Sequence, residues 1–334
     1  MRIAVIGSGA IGCLLAGYLK LKGEDVYLAG RGDSLKAILS SGLGISGVRG
    51  DFNVPIAAGT RLSAPADLFI LATKTADIEG ALKDNLEFVQ GKKVLSTQNG
   101  IAAEQLIAKY TAPENIISGI VMFGATYLEP GKVVHNFEGS LVLGSLFGFK
   151  PSEEMVKISL VLDKAFPAII SEEIKGAKYL KIFANANNCL PALLGLSMQE
   201  VFKDENISRI SIAVWQEGYN VISKAGIKLA SLPNFTVENI TRLISLPRAQ
   251  AAGIFSGIMG SLSKEPLYGS ILQSIKRKRP SEIDYINGEF VRLAQECKTQ
   301  APLNSRLVKL VHQVEETGRF LTKEELFDSL SGVI

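Results

Sequence analysis

Through the first half of the chain, short apolar runs bounded by turn residues alternate with longer stretches of helical periodicity. Ile3-Ala4-Val5-Ile6 reads as a buried strand, and the apolar pattern from Cys13 to Leu21 as the helix after it. Residues 25–29, 67–72 and 93–96 read as further strands. This alternation predicts a parallel sheet with crossover helices. From Ile116 the pattern changes. Residues 119–127, a turn at Glu129-Pro130-Gly131-Lys132, Val133-Val134-His135 and residues 140–144 predict hairpin strands that complete the same sheet. Strand signals stop near Ile169-Ile170-Ser171. Beyond them, apolar residues recur at helical spacing (Ile207, Ile210, Ala213, Val214, Tyr219, Ile222), and Gly226, Pro233, Pro247, Pro280 and Pro302 divide the helices. The pattern predicts an α/β domain over 1–171 and a helical domain over 172–334, with ligand in the cleft between them, outside the carboxyl ends of the strands.

Between the first strand and helix lies Gly7-Ser8-Gly9-Ala10-Ile11-Gly12, the G-x-G-x-x-G spacing of a dinucleotide-binding turn. In such a turn the first glycine permits the bend, the second admits a pyrophosphate to the backbone, and the third lets helix and strand pack closely. The phosphates then rest on N–H groups at the positive end of the helix. Gly7, Ser8, Gly9, Ala10, Ile11 and Gly12 are therefore candidate cofactor contacts. The fold class follows: α/β, with an N-terminal Rossmann-type dinucleotide-binding domain and an all-helical C-terminal domain. A competing reading exists, because no charge occurs from Ile3 to Leu19 behind Met1-Arg2, as in a signal peptide. The glycines in that run suit a membrane span of about 20 apolar residues poorly, which favours the cofactor reading.

A length of 334 residues accommodates two domains of ordinary size. A hydrophobic content of 47% with 21% charged residues fits a globular protein with a substantial core. The formal net charge of +3 makes no case for nucleic acid, and Lys276-Arg277-Lys278-Arg279 reads as a solvated loop. Cys13, Cys189 and Cys297 lack paired spacing and a histidine cluster. No disulfide and no metal site are expected, and the cytoplasm is the expected location.

The end of the second strand, about 20 residues past the glycine turn, distinguishes the nicotinamide cofactors, because an acid there bonds the ribose 2′-hydroxyl of NAD. This chain has Gly30-Arg31-Gly32 at that place, and no acid until Asp33. The planar fork of Arg31 suits a 2′-phosphate, so the expected cofactor is NADPH, with Lys74 as a second cation. Gln98-Asn99-Gly100 follows another strand, which directs Asn99 toward the nicotinamide half, although Asn-Gly is also a common turn pair. Lys181, Asn185 and Asn188 fall at i, i+4 and i+7, one face of a helix. Asparagine is a poor interior helix former. A lysine and amides amid Ile182, Phe183 and Ala184 therefore predict a stripe that binds a carbonyl and a carboxylate. A third segment carries Ser270 and Ser281-Glu282-Ile283-Asp284, where Ser281 ahead of two acids reads as a helix start. His135 and His312 lie outside these motifs, and a surface or structural role is expected for both.

Together these segments resemble the ketopantoate reductase (2-dehydropantoate 2-reductase) family. The likeness runs from the glycine motif through Thr73-Lys74, Gln98-Asn99-Gly100, Lys181-x-x-x-Asn185 and Ser270 to Glu282-Ile-Asp-Tyr-Ile-Asn-Gly288, in the family's order. It spans most of the chain, and the lysine–asparagine and Glu282–Gly288 segments are its specific parts. The resemblance implies NADPH-dependent reduction of 2-dehydropantoate to (R)-pantoate in pantothenate biosynthesis. It implies Lys181 as the catalytic general acid and Glu282 as its partner and a cofactor contact. Asn99, Asn185, Asn188 and Ser270 would then meet substrate or the nicotinamide end, and Arg31 and Lys74 the 2′-phosphate. Where the family motif has a second asparagine, eight residues after the lysine, this chain has Cys189 with Asn188 adjacent. The exact 2-oxoacid is therefore left open. Reduction of another 2-oxoacid, a non-catalytic NADP-binding sensor and an opine-type dehydrogenase are the alternatives. The expected partner is a small-molecule 2-oxoacid, without nucleic acid or membrane, and a homodimer is left open.

Overall fold

The computed structural model describes residues 1–261 and 265–334, which separate into two compact units, Met1–Lys175 and Gly176–Ile334. The first unit carries β1 (Arg2–Ile6), β2 (Asp25–Ala29), β3 (Leu43–Gly47), β4 (Phe52–Val54), β5 (Ala57–Gly59) and β6 (Leu68–Leu71). It continues with β7 (Lys93–Ser96), β8 (Ile116–Val121), β9 (Gly124–Glu129), β10 (Lys132–Phe137), β11 (Leu141–Gly144) and β12 (Ala168–Ile170). The large sheet has the order β12-β11-β8-β7-β6-β1-β2-β5. Its strands from β5 to β8 are parallel, and β11 runs antiparallel to β8.

The predicted hairpin extension of this sheet is corrected in part. β8 and β11 do complete it, but β9 and β10 form a separate four-stranded sheet, ordered β4-β3-β10-β9. The predicted run 119–127 thus breaks after Val121 and resumes at Gly124 in the other sheet. The helix Ala10–Leu21 is buried from Gly12 to Leu19. That burial accounts for the uncharged N-terminal run: strand and helix both lie in the core. Among the described residues no helix is long and apolar enough to cross a membrane.

Two apolar layers cover the large sheet. One gathers Leu14, Leu15, Tyr18, Phe123, Ile158 and Phe166, and the other Phe69, Leu71, Ile78, Leu82 and Ile107. His135 on β10 belongs to the first layer, fully buried beside the rings of Tyr18, Phe123 and Phe166. The Tyr18 hydroxyl lies 3.1 Å from its Nδ1, and burial lowers its pKa. The role of His135 is structural.

The second unit is helical. Among its described residues the β structure is a single bridge between Leu232 and Phe235. At its centre, the helix Glu205–Lys224 buries Ile207, Ile210, Ala213, Val214 and Ile222, the predicted stripe, with Tyr219 half-buried. Pro247 caps the helix Arg248–Gly260, and Pro302 opens the helix Pro302–Thr317, the first-turn position where its missing N–H costs nothing.

Candidate active site

The glycine turn is built by close approach. Gly7 has φ +120°, and a Cβ there would sit 2.6 Å from the Ala72 carbonyl carbon. A Cβ on Gly12 would lie 1.9 Å from the Gly7 carbonyl oxygen, so this contact between helix and turn tolerates glycine alone. Gly9 differs: the nearest atom to a Cβ there is 4.0 Å away, and the residue is exposed. No side chain caps the Ala10–Leu21 helix, and its first turn holds no acid. Beside the turn, the buried Thr73 hydroxyl has no hydrogen-bond partner among the described residues. Uncapped N–H groups, an open cradle at Gly9 and an orphaned hydroxyl fit the pyrophosphate of a dinucleotide.

At the end of β2, Arg31 is exposed and precedes the helix Gly32–Ser41. Its guanidinium pairs with exposed Asp84. Asp33 makes an exposed pair with Lys36 at 3.4 Å. Lys74 is half-buried beyond β6, leading a short 3-10 turn, Thr75–Asp77.

Gln98 has a structural task that the sequence did not disclose. Its buried amide donates to the carbonyls of Leu71 and Thr73, both at 3.0 Å, and its oxygen accepts from Ser96 at 2.9 Å. It ties the carboxyl ends of β6 and β7 together, just ahead of Lys74 and the half-buried Asn99.

In the second unit, Lys181 and Asn185 stand on the helix Ile174–Ala186. The Tyr179 hydroxyl donates to Glu289 at 2.9 Å, and Phe183 packs on Phe290 with centroids 5.0 Å apart. These contacts seat one helix face on the helix Asn287–Glu296. Lys181 and Asn185, also one turn apart, fall on the opposite side. Both are half-buried.

Burial pulls the Lys181 ammonium down to about 8. No charge from Glu282 contributes to that shift. Glu282 is buried in the turn ahead of the short 3-10 segment Ile283–Tyr285. The predicted helix start at Ser281 is accordingly a three-residue turn, with the Ser281 hydroxyl accepting from the Ile283 N–H at 3.3 Å. Among the described residues no carboxylate charge acts on Lys181, and desolvation sets its acidity.

The predicted three-residue stripe also needs correction. The helix stops at Ala186, Asn187 and Asn188 form a turn, and a new helix runs Cys189–Leu194. Pro191 supplies the physical reason, because its ring excludes a helical carbonyl at residue 187. Asn188 instead meets the next motif: a Cβ on Gly269 would lie 3.1 Å from it, at the start of the helix Ser270–Lys276. The structure thus brings Asn188 beside Ser270.

Cys189, at the position of departure from the family pattern, is fully buried, and its thiol donates to the Ala186 carbonyl at 3.1 Å. Burial pushes the thiol up to about 12, opposed in part by hydrogen bonds from the Cys189 and Leu190 backbone and then from the Asn287 amide. Among the described residues no three His, Cys, Asp or Glu side chains gather as metal ligands.

Fold and site together define a dinucleotide-dependent oxidoreductase with a Rossmann-type domain. The profile described as ketopantoate reductase PanE/ApbA matches residues 3–148, and that of its C-terminal part matches 173–315. The chain is 32% identical over 323 residues to the 2-dehydropantoate 2-reductase of Pyrococcus horikoshii, covering 95% of this chain and 99% of the relative. It is 26% identical to that of Archaeoglobus fulgidus, over 94% of this chain and 98% of the relative. Among solved structures it is similar to a ternary complex of D-mandelate dehydrogenase with NADH and anilino(oxo)acetate. That likeness has a TM-score of 0.81 at 25% identity, over 95% of this chain and 99% of that one. The chain belongs to the ketopantoate reductase family, and it is an oxidoreductase of the 2-dehydropantoate 2-reductase type that acts on a small molecule.

Proposed function

We propose that the protein reduces 2-dehydropantoate to (R)-pantoate with NADPH, in the cytoplasm, as a step of pantothenate biosynthesis. Residues 1–171 would bind the cofactor and 172–334 carry the substrate groups. The observation that carries the reading is Lys181: a half-buried ammonium with no carboxylate partner among the described residues, its pKa lowered to about 8. A general acid works best with a pKa near the operating pH, and Lys181 approaches that condition through burial.

When bound, reduced nicotinamide supplies the hydride for the ketone carbon. Lys181 meets the negative charge that develops on the ketone oxygen and then delivers its proton there. Asn185, Asn188, Ser270 and Asn99 orient the substrate's carboxylate and hydroxyl. Glu282 is assigned to accept from cofactor or substrate hydroxyl groups. The backbone of residues 7–12 holds the pyrophosphate, and Arg31 with Lys74 the 2′-phosphate.

The test mixes the protein with NADPH and 2-dehydropantoate and follows the loss of reduced nicotinamide, with NADH as the control. Lys181→Ala is expected to lower kcat about 100- to 10,000-fold while NADPH still binds. Near-wild-type turnover in that variant removes Lys181 from the chemistry. A second reading, reduction of another 2-oxoacid, is favoured by Cys189 and by the likeness to D-mandelate dehydrogenase. A panel of 2-oxoacids separates the two.

A further inference from the structure

Glu282 sits in a turn whose inner side is anchored by the fully buried Ile283 and Ile286. Within the turn, the Tyr285 N–H donates to the Glu282 carbonyl at 3.0 Å. Its outer side is gripped by the helix Pro302–Thr317. There Glu315 accepts from the Ser281 N–H at 2.7 Å with one carboxylate oxygen. The other oxygen lies 3.0 Å from His312 Nδ1, and His312 Nε2 lies 3.0 Å from Asp284 Oδ1. Ser281 and Asp284 bracket Glu282, so one helix holds the turn on both sides of the buried acid. We infer that His312, with Glu315, is a positioning residue that fixes the orientation of Glu282 for the reduction proposed above.

The chemistry of the ring supports this. Both neighbours are carboxylates, and both ring nitrogens donate only in the imidazolium. The imidazolium then bridges Asp284 to Glu315 and neutralises part of two negative charges beside Glu282. Asp284 and Glu315 are the charged groups acting on the ring from the turn and from its own helix. An exposed Asp284–His312 pair alone contributes little. The weight lies in the Glu315 bond to a backbone N–H, a charge-assisted bond to a half-covered carboxylate that His312 orients. The two isoleucines hold the turn in place, so the clamp governs its orientation more than its existence.

Two measurements test it. Hydrogen exchange of amides 281–286 reads the clamp without reference to activity. His312→Ala is expected to speed exchange there, His312→Gln to restore part of the protection through its single NH2 group, and Arg319→Ala to change nothing. Unchanged exchange in His312→Ala overturns the clamp. The kinetic arm expects kcat about 10- to 100-fold lower in His312→Ala, with the KM for NADPH within about twofold and partial rescue by His312→Gln. Faster exchange with unchanged kcat overturns the positioning role. Should the wild-type protein turn over no 2-oxoacid, the functional reading fails, and the exchange experiment still decides whether His312 holds the turn.

Discussion

At the residue scale, the decisive quantity is how far burial moves Lys181. An ordinary lysine holds its proton to about pH 10, whereas this one titrates at about 8. Because the protonated form is the acid, kcat/KM is expected to fall above about pH 8, roughly tenfold per further unit, since this parameter reports the free enzyme. A plateau that persists to about pH 10 would show a lysine of ordinary acidity and remove burial from the account. Arg31 makes a second residue-scale case. It stands exposed at the end of β2 and shares its guanidinium with Asp84, and the first acid after the strand is Asp33 in the helix that follows. Arg31→Ala is expected to weaken NADPH about 10-fold or more and leave NADH nearly unchanged, as loss of a charge-assisted phosphate contact requires. Equal losses for both cofactors would place Arg31 in the fold instead. The identity of these residues was legible in the sequence because each stands in a motif. The depth of burial that shifts Lys181 was not legible, because sequence spacing carries no distance between residues a hundred positions apart.

At the element scale, the strand–turn–helix opening was legible because its periodicity and its glycines agree. Gly9 and Gly12 can now be told apart. Gly12→Ala forces a Cβ against the Gly7 carbonyl and is expected to cost about 1–3 kcal/mol of stability. Gly9→Ala meets no atom nearer than 4.0 Å and is expected to stay within about 0.5 kcal/mol of wild type, while weakening dinucleotide binding. Thermal unfolding and cofactor titration of the two variants check the contrast, and a Gly9→Ala variant that binds normally would mean the cradle is not used. Other elements were hidden for definable reasons. β4 and β5 are three residues long, too short to show alternation, and the run 119–127 crosses from one sheet to the other without a polar break. The stripe through Asn188 failed at Pro191, a breaker that the sequence displayed and that outranks helical spacing.

At the scale of the whole molecule, the two histidines fall one in each unit, and their surroundings act on them in opposite directions. His135 is desolvated among aromatic rings, which lowers its pKa. The folded unit then binds a proton less readily than the unfolded chain, so stability is present above about pH 6.5 and is lost as pH falls below it. His312 is opposed by its own burial but carried upward by hydrogen bonds to Asp284 and Glu315. The folded unit keeps that proton after the unfolded chain has released it. Its increment is therefore present below about pH 6.5 and is lost as pH rises through the raised value. Histidine is the side chain whose ordinary pKa lies in this window, so each unit carries one such titration, of opposite sign. Between about pH 7.5 and about pH 5.5, urea unfolding read peptide by peptide should show residues 1–175 weakening and residues 176–334 strengthening. His135→Leu should flatten the first response alone, and His312→Gln the second alone. If both units weakened together on acidification, with both variants behaving like wild type, the carboxylates would govern the pH response and neither histidine would.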